Sequence, residues 1–215
     1  MSAGPEIRVN RLAAPVRSLG FGARAVLWVQ GCSLACPGCI SPHTWDPGAG
    51  EEIEVGELAE LIVALEREVG RLNGLTISGG EPFDQADGLL LLVETLRSRD
   101  WLGGERDLLT YSGYSEKKLR RLSAELFDLS DVVITEPYRR DLAPEGLRGS
   151  SNQRLHRNTP LAERRYPAEA LTRAPLEGAW VDGRILLSGV PSTGEMVRFE
   201  QALRQAGLAG KESHG

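Results

Sequence analysis

The residues best suited to chemistry are three cysteines within eight positions, Cys32-Ser33-Leu34-Ala35-Cys36-Pro37-Gly38-Cys39, and the chain has no others. This C-x3-C-x2-C spacing suits a shared metal centre. Iron–sulfur cubanes normally take four thiolates. Three adjacent thiols without a fourth would hold three irons and leave the last with an open coordination position. An open position on a metal is where an outside ligand binds and reacts. Blander readings use the same residues. Structural zinc closes its shell with four ligands, and His43 is the candidate fourth. A redox disulfide or ordinary buried thiols are the others, with no secretory pattern to support a disulfide.

A ligand loop needs rigid elements to hold it. Ala25-Val26-Leu27-Trp28-Val29-Gln30, bounded by Gly22 and Gly31, reads as a short buried strand with Trp28 as core packing. Pro37-Gly38 forces a tight turn between the second and third thiols. Val55, Leu58, Leu61, Ile62, Leu65 and Val69 repeat at helical spacing and predict a helix over 54–69. Strands are expected at 75–78, 107–111 and 131–135, with helices around 89–96 and over 116–127. Near-continuous apolar strands alternating with helices argue α/β, a parallel sheet covered by helices. Ligands bind such sheets at the C-terminal strand ends. The unusual segments all fall there: the cysteine loop, Ser78-Gly79-Gly80-Glu81-Pro82, Ser112-Gly113-Tyr114 and Glu136-Pro137-Tyr138.

Residues 142–175 read as loop. Asp182-Gly183, flanked by 179–181 and 184–187, is a hairpin signal. A closing helix is expected over 195–206 with Gly207 as its stop, and 210–215 as a disordered tail. The chain of 215 residues is expected to form a single domain over 1–215, with a core at about 20–157 and an extension at about 158–215. The net charge of −5 argues against a nucleic-acid partner, and no run is long enough for a membrane span. Met1-Ser2-Ala3-Gly4-Pro5-Glu6 lacks a signal-peptide pattern, so a cytoplasmic location is expected.

Taken together, the cysteine loop and the Ser-Gly-Gly-Glu-Pro segment one strand later resemble the radical S-adenosylmethionine (SAM) superfamily. Val29-Gln30-Gly31-Cys32, Tyr111-Ser112-Gly113-Tyr114 and Leu147-Arg148-Gly149-Ser150-Ser151-Asn152-Gln153-Arg154 are similar to motifs of its small activating enzymes, the anaerobic ribonucleotide reductase activating proteins above all. The resemblance spans about residues 7–157. It implies a partial (β/α)6-type barrel of mostly parallel strands, followed here by the hairpin and helix. It implies that Cys32, Cys36 and Cys39 ligate three irons of a 4Fe–4S cluster, with SAM on the fourth. It implies SAM contacts from Ser78, Gly79, Gly80, Glu81, Pro82, Ser112, Tyr114 and Asn152. The implied reaction is reductive cleavage of SAM to a 5′-deoxyadenosyl radical. The implied partners are a glycyl-radical enzyme and a flavodoxin or ferredoxin as electron donor. Two positions are distinctive. Gly38 resembles the activating subgroup rather than superfamily members with an aromatic residue before the third cysteine. Thr135-Glu136-Pro137-Tyr138 stands where the activating proteins tend to read Asp-Gly-Pro-aromatic. Alternatives are a radical SAM enzyme acting on another peptide, protein or natural product, and a non-catalytic iron–sulfur or zinc module.

Overall fold

The computed structural model describes residues 4–167, 177–181 and 184–189, with positions 198, 201 and 205. In chain order the elements are β1 (Glu6–Val16), β2 (Arg24–Val29), β3 (Glu51–Glu54), α1 (Val55–Val69), β4 (Gly74–Gly79), α2 (Ala86–Ser98), β5 (Asp107–Tyr111), α3 (Glu116–Leu129), β6 (Val132–Thr135), β7 (Arg154–Arg157), α4 (Pro160–Arg165), β8 (Glu177–Val181) and β9 (Arg184–Ser188).

Seven strands form one sheet in the order β3-β1-β2-β4-β5-β6-β7. The centre is as expected: β2, β4, β5 and β6 pair in parallel. The flanks differ. β1 is antiparallel to both β2 and β3, and β7 is antiparallel to β6. Among the described residues the strand order ends at β3 and β7, and the acidic Glu51-Glu52-Ile53-Glu54 sequence of β3 disfavours pairing with a further strand.

Helix α1 buries Val55, Leu58, Ala59 and Ile62 along one stripe, and Glu54 caps it by accepting from Glu57 N. Helix α3 is broken at Ser123, whose φ of −157° leaves the helical region. The Ser123 hydroxyl accepts from Leu126 N and so restarts the helix. Leu58, Leu89 and Leu119, one from each of the three long helices, share a core with Leu27, Ile77 and Val133. Alternate residues of the same strands point the other way. Val26, Trp28 and Tyr111 form one cluster there, and Leu109 and Ile134 another. All three crossover helices therefore cover one face and leave the opposite face to the functional loops. That face also holds a fully buried ion pair, Arg24 Nη1 to Asp107 Oδ2 at 2.9 Å.

Strands β1, β3 and β7 were not expected from the pattern, and the loop expected over 142–175 contains β7 and α4. Arg154-Leu155-His156-Arg157 has almost no apolar content, and only its pairing with Val132–Thr135 makes it a strand. The short α4 does carry a start signal: Thr159 Oγ1 accepts from Ala162 N, and Pro160 takes the first turn. The C-terminal hairpin is present as β8 antiparallel to β9, with Val181 opposite Arg184. Its turn at Asp182-Gly183 and the tail at 210–215 lie outside the described residues. The helix expected over 195–206 lies largely outside them, though 198, 201 and 205 are helical. No helix among the described residues is long and apolar enough to cross a membrane.

Candidate active site

Parallel pairing brings the loops after β2, β4, β5 and β6 to one end of the sheet, where they line a single pocket. The loop after β2 carries the cysteines and is lashed down on both sides. Gly31 N donates to Thr44 O, and Cys32 N donates to Trp45 O. The buried Gln30 side chain donates to the carbonyls of His43 and Asp46 and accepts from Asn10 Nδ2. Cys39 N donates to Cys36 O at 3.0 Å and closes the Pro37-Gly38 turn.

Cys32, Cys36 and Cys39 are free, half-buried and on the wall of the same pocket. Burial pushes the thiols of Cys32 and Cys36 up, and the Glu81 carboxylate adds to this. A bound cation reverses such a shift, because a coordinated thiol is deprotonated. His43, the candidate fourth zinc ligand, does not line the pocket. Among the described residues, no three His, Cys, Asp or Glu side chains form a group able to hold one metal ion. A cubane asks less, since each thiolate binds a different iron. The donor set of three free thiols therefore fits a cluster with one open iron.

The loop after β4 runs hard against the cysteine loop. Gly80 N donates to Val29 O and Glu81 N to Gly31 O, both at 2.8 Å. Gly79 has φ +103°, and a Cβ there would stand 2.5 Å from Val29 O. A Cβ on Gly80 would stand 2.1 Å from Gly31 O. Glycine is required because two backbones touch. Gly80→Ala is expected to push the loops apart and cost about 2 kcal/mol or more. Iron bound per chain after anaerobic reconstitution should fall accordingly, as read by the cluster's visible absorbance.

Glu81 is 1% exposed. Its carboxylate accepts from Ser112 Oγ at 2.7 Å, Gly113 N at 2.8 Å and Phe83 N at 3.1 Å. Burial nevertheless outweighs these bonds and pushes its pKa up to about 7. The folded protein then keeps this proton to higher pH than the unfolded chain. Stability from this group is full below the ordinary carboxylate range and is lost as pH rises towards 7. The unfolding free energy of the cluster-free protein is expected to fall across that window, by at most about 1.4 kcal/mol per pH unit. Glu81→Gln should flatten that slope in urea titrations at stepped pH.

Other strand-end residues hold the loops in place. Tyr114 OH bonds Ser33 Oγ at 3.0 Å and donates to Asp84 Oδ1 at 2.7 Å, while Lys118 Nζ sits 3.1 Å from its ring centroid. Tyr114 therefore ties the cysteine loop to the segment after β4. Glu136 adopts φ +81°, the left-handed region that favours glycine. Asn152 Nδ2 donates to Pro137 O, and Gln153 Nε2 donates to Glu136 O. The 147–154 segment is thus laced to the loop after β6.

Of the expected site residues, the three cysteines, Ser78, Gly79, Gly80, Glu81 and Ser112 line the pocket, whereas Pro82, Tyr114 and Asn152 do not. Trp28, expected in the core, lines it, as do Ile40, Tyr138 and Gln153. Strand periodicity was the available signal for Trp28: it alternates with Leu27 and Val29, which face the helices.

The 4Fe-4S single cluster domain family matches residues 18–156. The chain is 33% identical over 143 residues to the anaerobic ribonucleoside-triphosphate reductase-activating protein of Enterobacteria phage T4, covering 65% of this chain and 87% of that one. It is 30% identical to the protein of that name from Escherichia coli K12, over 64% and 90% of the two chains. The Pasteurella multocida protein is 31% identical, over 65% and 90%. Among solved structures, QueE from Escherichia coli superposes at a TM-score of 0.42 with 14% identity, over 62% of this chain and 72% of that one.

Proposed function

As a member of the 4Fe-4S single cluster domain family and of the anaerobic ribonucleoside-triphosphate reductase-activating proteins, the chain is a radical SAM enzyme, and we propose that it activates a glycyl-radical reductase. The observation that carries this reading is the meeting of three free thiols with the glycine-rich end of β4 in one pocket.

When bound, the 4Fe–4S cluster and SAM supply reductive carbon–sulfur cleavage and with it an agent able to abstract hydrogen. The chain's own residues do the rest. Cys32, Cys36 and Cys39 would hold the cluster. Ser78, Gly79 and Gly80 would offer backbone to the methionyl end of SAM at close range. Glu81 sets that backbone by joining it to Ser112 and Gly113, and an ammonium nearby would favour its charged form. Pro82 starts the turn after it, and Tyr114 holds Ser33, so both position rather than touch. Asn152 would act from outside the pocket lining, by holding the loop after β6 through Pro137 O. Trp28 and Tyr138 contribute apolar wall that keeps water out.

Curvature of the sheet into a partial barrel would wrap these strand ends round the cofactor. The extension at 158–215 belongs to the same working unit in this reading. Electrons come from a flavodoxin or ferredoxin, and the protein works in the cytoplasm, where its thiols stay reduced.

The test is co-incubation, without oxygen, of the reconstituted protein, SAM, a reductant and the glycyl-radical reductase of the same organism. A glycyl radical signal by electron paramagnetic resonance is the expected result. 5′-Deoxyadenosine without that signal would shift the target to another peptide or protein.

A further inference from the structure

The family match ends at residue 156, and the C-terminal hairpin lies beyond it. The hairpin nevertheless reaches back to the first matched residues. Glu177, which opens β8, accepts two backbone hydrogen bonds on one oxygen. Its Oε2 takes Arg17 N at 2.7 Å and Ser18 N at 2.8 Å. These amides sit in the strap between β1 and β2. Bonds from consecutive N–H groups to a carboxylate are charge-assisted and hold position firmly.

The strap leads straight into the active site. Leu19 follows Ser18 and lines the pocket, and its carbonyl accepts from Thr76 Oγ1 at 2.8 Å. At the other end of the hairpin, Gly189 is buried and lines the same pocket. The pairing joins these two ends, because Glu177 stands opposite Ser188, the residue before Gly189. Wherever Glu177 is held, Gly189 is held within a residue of it.

We propose that the C-terminal hairpin is a built wall of the active-site pocket, and that Glu177 is the positioning residue that holds it there. The carboxylate anchors the start of β8, the ladder transmits that anchor to the end of β9, and Gly189 meets the pocket as bare backbone. Gly189 has φ +120°, so a larger residue could not take its place without strain. The wall's task is to keep water from the reacting centre and to narrow the way in for a substrate segment. That task rests on the radical SAM reading above; the latch does not.

The experiment uses the full-length, metal-free protein under anaerobic reducing conditions, with hydrogen exchange read at Arg17 and Ser18. Both amides should be protected in the wild type. Glu177→Ala should lower their protection by about tenfold or more. Glu177→Gln, which keeps an acceptor oxygen but no charge, should fall between. Alkylation of the three cysteines by iodoacetamide should run several-fold faster in Glu177→Ala, because Cys32, Cys36 and Cys39 share the pocket with Gly189. Free-chain exchange at Arg17 and Ser18 in the wild type overturns the proposal, and that measurement needs no variant. Unchanged alkylation in Glu177→Ala overturns it as well. In the cluster-loaded protein, the same variant should form more 5′-deoxyadenosine in the absence of any partner. If the latch responds as expected and no 5′-deoxyadenosine forms in any variant, the latch stands and the radical reading fails.

Discussion

Replacing Cys36 with alanine is expected to reduce 5′-deoxyadenosine formation to background and to leave the fold intact. Cys36 sits in a loop held by other residues: Gly31 and Cys32 through their backbone N–H groups by Thr44 and Trp45, and Ser33 through its hydroxyl by Tyr114. Its thiol lines the pocket and is half-buried, so alanine removes the proposed ligand without opening a core cavity. With two thiols left, two irons have no protein ligand in place of one, and a cubane held by two cysteines is labile. The measurement is anaerobic reconstitution followed by visible absorbance, circular dichroism and product quantification. Retained product formation in Cys36→Ala, Cys32→Ala and Cys39→Ala alike would remove the three-thiolate site from the mechanism. A similar loss in all three, with an unchanged melting profile, places the defect at the metal.

The largest effect on stability is expected far from the metal, at Arg24. This side chain is fully buried and spends its donors inside the protein. Nε donates to Thr76 Oγ1 at 2.6 Å, and Nη2 donates to the carbonyls of Leu75 and Asp107 at 2.6 and 3.0 Å. Nη1 pairs with Asp107 Oδ2, which also accepts from Tyr166 OH at 2.7 Å. Arg24→Met would strand part of the charge on Asp107 and leave the carbonyls of Phe21, Leu75 and Asp107 short of a donor. Breaking a buried pair on one side typically costs about 3–5 kcal/mol. The lower end applies here, because Arg165 Nη1 still pairs with Asp107 Oδ1. Arg24→Met combined with Asp107→Asn should lose less than Arg24→Met alone, since the stranded charge is gone. Urea unfolding of the cluster-free proteins measures both. A double variant no better than the single one would mean that lost hydrogen bonds, and not the charge, set the cost.

The two effects separate cleanly because the fold separates them. The ion pair lies at the start of the parallel strands, and the cysteines lie beyond their ends. Arg24 opens β2 and Val29 closes it, so a single six-residue strand joins the stabilising network to the ligand loop.

Much of this was legible from residue order alone. The thiol spacing, the turn at Pro37-Gly38 and the apolar runs of β2, β4, β5 and β6 are local features, and each element forms where its own sequence asks for it. The parallel centre follows, because strands joined by helices have few other ways to pair. Gly79 and Gly80 could be flagged by type, though not for their reason, which is the carbonyls of Val29 and Gly31 lying against them. Tertiary structure decided the rest. β1 and β7 are strands only through their neighbours, because alternating or polar segments gain strand character from pairing. The family resemblance implies that Glu81 and Tyr114 contact the cofactor, and residue order says nothing of what else they bond. Their hydrogen-bond partners within the chain, Ser112 with Gly113 and Ser33 with Asp84, come from segments about 30 to 80 residues away. The sequence alone therefore determined which atoms can bind iron and which strands carry them. Only the folded chain decided which polar groups face the pocket and which fix its loops. A buried carboxylate or hydroxyl takes its role from whichever donors and acceptors the fold brings within 3 Å or so, and sequence distance does not encode that.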